Sequence, residues 1–389
     1  MEYRFLGKSD RKVSKLGFGC MRLPLLPGSE SIKSFFERSI AIDEEKAFEM
    51  VDYAIEHDIN YFDSAYLYHG GKSETFLGKA VQNRREKVII TTKSPLRNIE
   101  KTEDFERILD EQLQRLQIDY LDFYLLHGLG RPTWAKAGKL GALNFLDKIR
   151  KDGRAKFVGF SFHDDVRIFK EIIDAYDWTI CQIQYNYFDE NYQAGKEGLQ
   201  YASSKGIGVV IMEPLRGGRL TDKIPREVQK IWDSTGRKWS PAEWAFRWVW
   251  NHPEVSLVLS GMSTLEQLEE NVRIAEKASP DSLSSQELET IRKVADTYRR
   301  LLKVDCTGCA YCVPCPSGVN IPMNFSLYND FCLFKDLELS QAFYNMMMPS
   351  EHRASACEEC GECEEKCPQH IEIIETLKEV HKALRKEDA

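Results

Sequence analysis

Eight short apolar runs, rich in β-branched and aromatic residues, recur along the first two-thirds of the chain. They are Leu16–Gly19, Asn60–Asp63, Val88–Lys93, Leu121–His127, Phe157–Ser161, Ile180–Tyr185, Gly208–Met212 and Val255–Ser260. Between them lie stretches whose apolar positions repeat with a helical period, among them Asp43–His57, Thr102–Leu116, Leu140–Lys151 and Pro241–Asn251. Alternating strand and helix predicts an α/β fold with a parallel sheet, and eight such units predict a closed (β/α)8 TIM barrel. The segment from Met1 to Lys15, with a Gly-Lys-Ser-Asp turn, reads as a hairpin ahead of the first strand. A doubly wound sheet is the alternative, weakened because no G-x-G-x-x-G follows an early strand.

The strand runs stop before residue 283, which predicts a barrel over residues 1–283 and a small, mainly helical domain over 284–389. Within the second part Leu327, Phe331 and Phe334 fall at helical spacing, as do Phe343 and Met347. Nine of the 11 cysteines also lie there, eight of them in two runs. These read Cys306-Thr-Gly-Cys309-Ala-Tyr-Cys312-Val-Pro-Cys315-Pro316 and Cys357-Glu-Glu-Cys360-Gly-Glu-Cys363-Glu-Glu-Lys-Cys367-Pro368. Zinc sites use pairs of ligands across a long gap, and disulfide frameworks belong to small secreted domains. Three thiols at three-residue steps instead suit one face of a four-iron cubane, with the fourth cysteine, before Pro, ligating the other cluster. The assignment is Cys306, Cys309, Cys312 and Cys367 on one [4Fe-4S] cluster, and Cys357, Cys360, Cys363 and Cys315 on a second. The first run is one residue short before Cys315, and 41 residues separate the runs, so the module resembles α-helical ferredoxins. Glu358, Glu359, Glu362, Glu364 and Glu365 make the second run an acidic loop. Cys20, Cys181 and Cys332 stand apart and read as small core residues.

Composition narrows the rest. A net charge of −8 argues against nucleic acid or an anionic membrane as a partner. No apolar run approaches the roughly 20 residues that span a bilayer. The N-terminus has no apolar leader core, so the expected location is cytoplasmic.

Polar groups end several otherwise apolar runs: Asp63, Lys93, His127, Ser161 and Gln182. In a (β/α)8 barrel, chemistry collects at those strand ends. Phe62-Asp63-Ser64-Ala65-Tyr66-Leu67-Tyr68-His69-Gly70-Gly71-Lys72-Ser73-Glu74, followed by Leu77-Gly78, resembles the aldo/keto reductase signature. Val88–Lys93 and Asp122–His127 resemble that family's lysine and histidine strands. The resemblance runs from about residue 2 to about 280, and the attached cysteine module points to the branch with a C-terminal ferredoxin-type domain.

The resemblance implies an NAD(P)H-dependent oxidoreductase that interconverts a carbonyl compound and an alcohol. Tyr68 is the implied proton donor, with its phenol pKa lowered by the Lys93 ammonium. Asp63 orients Lys93, and His127 directs the carbonyl oxygen. Ser161 and Gln182 are the implied nicotinamide contacts, and Pro214, Leu215 and Gly218 those of the pyrophosphate. Gly261, Ser263, Gln267, Glu270 and Asn271 hold the adenosine end, where Ser263 or Thr264 begins a helix whose N-terminus suits a phosphate. Phe162 follows Ser161 where many members have asparagine, and Met212 stands where an aromatic ring often stacks on the nicotinamide. Gly261 and Gln267 stand where lysine and arginine often grip a 2′-phosphate. Arg216, Arg219 and Lys223 are the candidate replacements, and NADP(H) is favoured over NAD(H). The clusters would carry electrons or dock a ferredoxin or flavoprotein partner. The alternative is a cofactor-binding redox sensor without carbonyl turnover.

Overall fold

The computed structural model describes residues 1–29, 40–309 and 311–386. Each apolar run forms a strand, with ends shifted by a residue or two from the pattern. After a hairpin of β1 (Tyr3–Phe5) and β2 (Lys12–Ser14) come β3 (Leu16–Gly19), β4 (Tyr61–Asp63), β5 (Ile89–Ser94) and β6 (Leu121–Leu129). They are followed by β7 (Ala155–Phe162), β8 (Ile180–Gln184), β9 (Gly208–Met212) and β10 (Val255–Ser260). β3 to β10 pair in parallel in chain order, and β10 returns to β3, which closes the barrel. The expected (β/α)8 fold is therefore present.

Alternate residues of the strands turn inward and fill the barrel, which is a packed core rather than a pore. Tyr61, Ile89, Phe123, Leu125, Ile180, Val210 and Leu257 meet there with Leu6 and Val13 of the hairpin. The close approach of the hairpin depends on Gly7. Its φ is +58°, and a Cβ would lie 2.2 Å from the Thr179 carbonyl oxygen. Outer helices bury one stripe each. Glu103–Leu116 buries Phe105, Ile108, Leu109 and Leu116 at i, i+3, i+4 and i+11, together with one amide, Gln112.

The stretch after Gly128, between β6 and the helix Ala142–Lys151, contains a further helix, Arg131–Lys139. Pro132 in its first turn needs no N–H partner, and Thr133 Oγ1 accepts the Gly130 N–H at 2.9 Å. Among the described residues, no helix is long and apolar enough to cross a membrane.

Contacts divide the chain into two units, residues 1–217 with 239–285, and 218–238 with 286–389. The segment 218–238 thus groups with the C-terminal unit although it follows β9 in sequence. Arg219 ties it there, pairing with Asp330 at 3.0 Å and Asp336 at 3.2 Å. The insert between the cysteine runs is helical as expected, over Ile321–Phe334, Leu337–Ala342 and Phe343–Met347. Ile321, Phe325, Tyr344, Leu377 and Val380 form the core of this unit, and most of the cysteines pack against it.

Candidate functional site

Asp63 is the last residue of β4, Lys93 lies near the end of β5, and His127 near that of β6. Neighbouring strands of a closed barrel bring these three ends together. Lys93 Nζ donates to Asp63 Oδ1 at 2.5 Å and to the Ser64 carbonyl at 2.8 Å. It lies 5.1 Å from the centre of the Tyr68 ring, and that ring meets His127 edge-on at 6.0 Å. Lys93 and Asp63 are buried, whereas Tyr68 and His127 are half-buried. Tyr68 is carried by a tight turn in which His69, Gly70 and Gly71 all have positive φ. Two glycines make that path affordable, and only His69 is strained.

Burial acts on Lys93, Tyr68 and His127. It pulls the Lys93 ammonium down, but Asp63 and Tyr68 outweigh it and hold the group above its ordinary value. It pushes the Tyr68 phenol up, and Lys93 draws it back only in part, so the net direction is upward. The lowered phenol expected from the sequence is not found, because the ammonium does not compensate for the lost water. Burial, and then the Lys93 charge, push His127 well below its ordinary range, which leaves a neutral imidazole.

The expected cofactor residues differ in their commitments. Ser161 Oγ accepts the Gly128 N–H at 2.8 Å, and Gln182 Nε2 donates to Asp63 Oδ2 at 2.7 Å. Asp63, Tyr68, Lys93 and His127 thus form a tetrad that Gln182 joins directly, while Ser161 fixes the residue after His127. Pro214 and Leu215 follow β9, while Gly218 belongs to the second unit. Thr264 caps the helix Leu265–Lys277 by accepting the Gln267 N–H, and Gln267 Oε1 accepts the Ser263 N–H at 2.9 Å. Gly261, Ser263, Gln267 and Glu270 lie around this helix N-terminus, whereas Asn271 is buried and donates to Ser260 Oγ at 3.0 Å. Of the candidate cations, Arg216 pairs with Asp189 at 3.1 Å, Arg219 is held within the second unit, and Lys223 is exposed there.

Two neighbours escaped the sequence. The stem of Arg22 packs on Gly261, its guanidinium approaches Gly217, and its carbonyl accepts Ser263 Oγ–H at 2.9 Å. A dinucleotide phosphate fits such a place, beside an arginine and at a helix N-terminus. Cys20 is a buried thiol whose electrostatic neighbours are Asp63, Lys93 and Tyr68. The one hint of either was position, since both directly follow the first barrel strand.

In the second unit the eight thiols gather in two hollows. One is lined by Cys306, Cys309, Cys312 and Cys367. The other is lined by Cys315, Cys357, Cys360 and Cys363, and Cys312 lines it too. Each hollow draws its thiols from both runs, the exchange the spacing implied, and four thiols around a hollow fit a cubane. The shortened gap before Cys315 does not keep it from the second hollow. Burial pushes three of these thiols up: Cys306, Cys363 to about 11 and Cys312 to about 12. The acidic loop is largely internally paired: Glu359 with Lys378, Glu362 with Lys366, and Glu364 on the Ile374 N–H.

The sequence model of the aldo/keto reductase family matches residues 15–296, and that of a 4Fe-4S dicluster domain matches residues 305–372. L-galactose dehydrogenase of Arabidopsis thaliana is 28% identical, over 77% of this chain and 96% of its own. NADH-specific methylglyoxal reductase of Escherichia coli is 25% identical, over 76% of this chain and 98% of its own. An aldo-keto reductase from Bacillus halodurans, in its holo form, superposes with a TM-score of 0.62 at 28% identity. That superposition covers 76% of this chain and 96% of the other.

Proposed function

The chain belongs to the aldo/keto reductase family and is an oxidoreductase of that type with a 4Fe-4S domain, and we propose that it interconverts a small carbonyl compound and its alcohol. One observation carries this reading. Lys93 is fixed by Asp63 at 2.5 Å and faces the ring of Tyr68, which His127 meets at its edge.

Ser161, Gln182, Pro214, Leu215 and the 261–270 helix start would hold a reduced nicotinamide, which would supply hydride, and the cysteines would hold iron–sulfur clusters, which would supply single electrons. The chain's own residues do the rest. Neutral His127 donates a hydrogen bond to the carbonyl oxygen and fixes its direction. Tyr68 then gives its phenolic proton to that oxygen, and the Lys93 ammonium stabilises the phenolate left behind. Asp63, held by Gln182 and Lys93, keeps the ammonium charged and aimed. The reverse sequence oxidises an alcohol.

NADP(H) remains our preferred nicotinamide. Arg22 beside the capped helix supports it, although Arg216 and Arg219 are engaged by carboxylates and one relative bears an NADH-specific name. For the clusters we propose the ligand sets that line the two hollows, in a domain beginning near residue 284. Hydride moves two electrons and a cubane one, so their role is exchange with a separate ferredoxin or flavoprotein in the cytoplasm.

Anaerobic NADPH and NADH oxidation with a panel of aldehydes and ketones tests the reaction. Wild-type turnover that Tyr68→Phe lowers by at least about a hundredfold is the expected result. Absence of turnover with every carbonyl would favour the sensor reading instead.

A further inference from the structure

Behind the tetrad lies a buried polar cluster that none of the steps above uses. Glu74, completely buried on the helix Lys72–Val81, is its centre. Glu74 Oε1 accepts from Thr92 Oγ1 and from Gln112 Nε2, both at 2.6 Å. Glu74 Oε2 accepts from Arg115 Nη1 at 3.2 Å. Each amide or guanidinium then reaches onward to the backbone of the site. Gln112 Nε2 also donates to the Lys93 carbonyl at 3.1 Å, and its Oε1 is fixed by Tyr124 Oη–H at 2.8 Å. Arg115 Nη1 also donates to the Tyr66 carbonyl at 3.2 Å, with its guanidinium 4.2 Å from the centre of the Tyr66 ring.

One carboxylate therefore has two arms. One ends on the peptide of the residue that carries the ammonium, and the other ends two residues before the proton donor, at the entrance to its positive-φ turn. The exit of that turn is fixed separately, by Ser73 Oγ with Ser64 Oγ at 2.9 Å and with the Cys20 carbonyl at 3.0 Å. A completely buried carboxylate is costly unless fully bonded, and a simple helix-to-strand tie needs only an apolar contact. We propose that Glu74 is a positioning residue, which holds Lys93 and the Tyr68 turn in register through Gln112 and Arg115. The inference rests on the reaction proposed above, and its test does not depend on turnover alone.

In Glu74→Gln one oxygen acceptor is lost opposite Arg115, and both arms loosen. The variant is expected to lose about tenfold in kcat while KM for the carbonyl changes by less than about twofold, the split produced by misplaced reacting groups. In tyrosine-labelled protein, the ¹³Cζ resonance of Tyr68, assigned by its disappearance in Tyr68→Phe, is expected to shift and broaden. A variant that melts earlier but keeps kcat, KM and an unmoved Tyr68 resonance would overturn the proposal, leaving a structural tie. If the wild type turns over no carbonyl, the reaction reading fails, and the Tyr68 resonance alone decides on Glu74. Should Glu74→Gln not fold, Arg115→Met cuts only the Tyr66 arm, at a side chain 28% exposed. It is expected to move the same resonance, and an unmoved signal there would equally overturn the proposal.

Discussion

Within the tetrad, the protonation of Lys93, Tyr68 and His127 is set by their neighbours and by burial. Tyr68 lies above its ordinary 10.0, so its phenol is protonated across neutral pH. Carbonyl reduction needs that proton, and its rate should show no fall assignable to Tyr68 between about pH 6 and 9. Alcohol oxidation needs the phenolate, whose population below the pKa rises about tenfold per pH unit, so oxidation should climb over the same range. Paired pH–rate profiles check this, and an oxidation rate that stays level would contradict it. These four residues were legible because the sequence presents Asp63, Lys93 and His127 at strand ends and Tyr68 inside the same recognisable motif as Asp63. Their support was not. Gln112 sits on a helical stripe with Ile108 and Leu109, and nothing in the spacing marks it as the link between Glu74 and the Lys93 backbone. Likewise the phenol's upward displacement comes from desolvation, which a sequence does not display.

Each strand of the barrel was announced by its apolar run, because a buried parallel strand has little choice of residue type. Less visible is how neighbouring strands are fastened. Asp122 at the start of β6 is buried, and its Oδ2 accepts the Ile90 N–H of β5 at 3.0 Å and the Arg85 guanidinium at 2.8 Å. Arg85 in turn donates to the Val88 and Tyr120 carbonyls. Asp122→Ala strands one backbone donor and one half-buried cation, and should cost about 3 kcal/mol. A lowered urea midpoint for loss of the barrel's near-ultraviolet dichroism would report it, and an unchanged midpoint would refute it. The helix Arg131–Lys139 marks the opposite case. Its glycine-rich approach suggests a loop, and only the bonds of Thr133 and the tolerance for Pro132 in the first turn produce the helix.

On the scale of the whole chain, a barrel with its own hairpin plug carries an added unit with its own small core. The apolar spacing around Leu327 and Phe334 announced the helices of that unit, whereas the membership of residues 218–238 did not show, since it depends on Arg219 finding Asp330 and Asp336. The exchange of thiols between the two runs has a mechanical meaning. On the proposed ligand sets, each cluster would act as a cross-link, one closing a loop of roughly 55 residues and the other roughly 40, and closures of that length are worth on the order of 4 kcal/mol each in chain entropy. Cys367→Ser should thus do more than halve the iron content. It should leave the unit fastened at one point instead of two, seen as faster proteolysis of the Ile321–Phe334 region with the barrel intact. Equal protease resistance at halved iron would mean that the helical core holds the unit closed by itself. The clusters of such a chain would be fasteners whenever they are not carriers, and oxidative loss of one would be felt first as slackness and only afterwards as lost current.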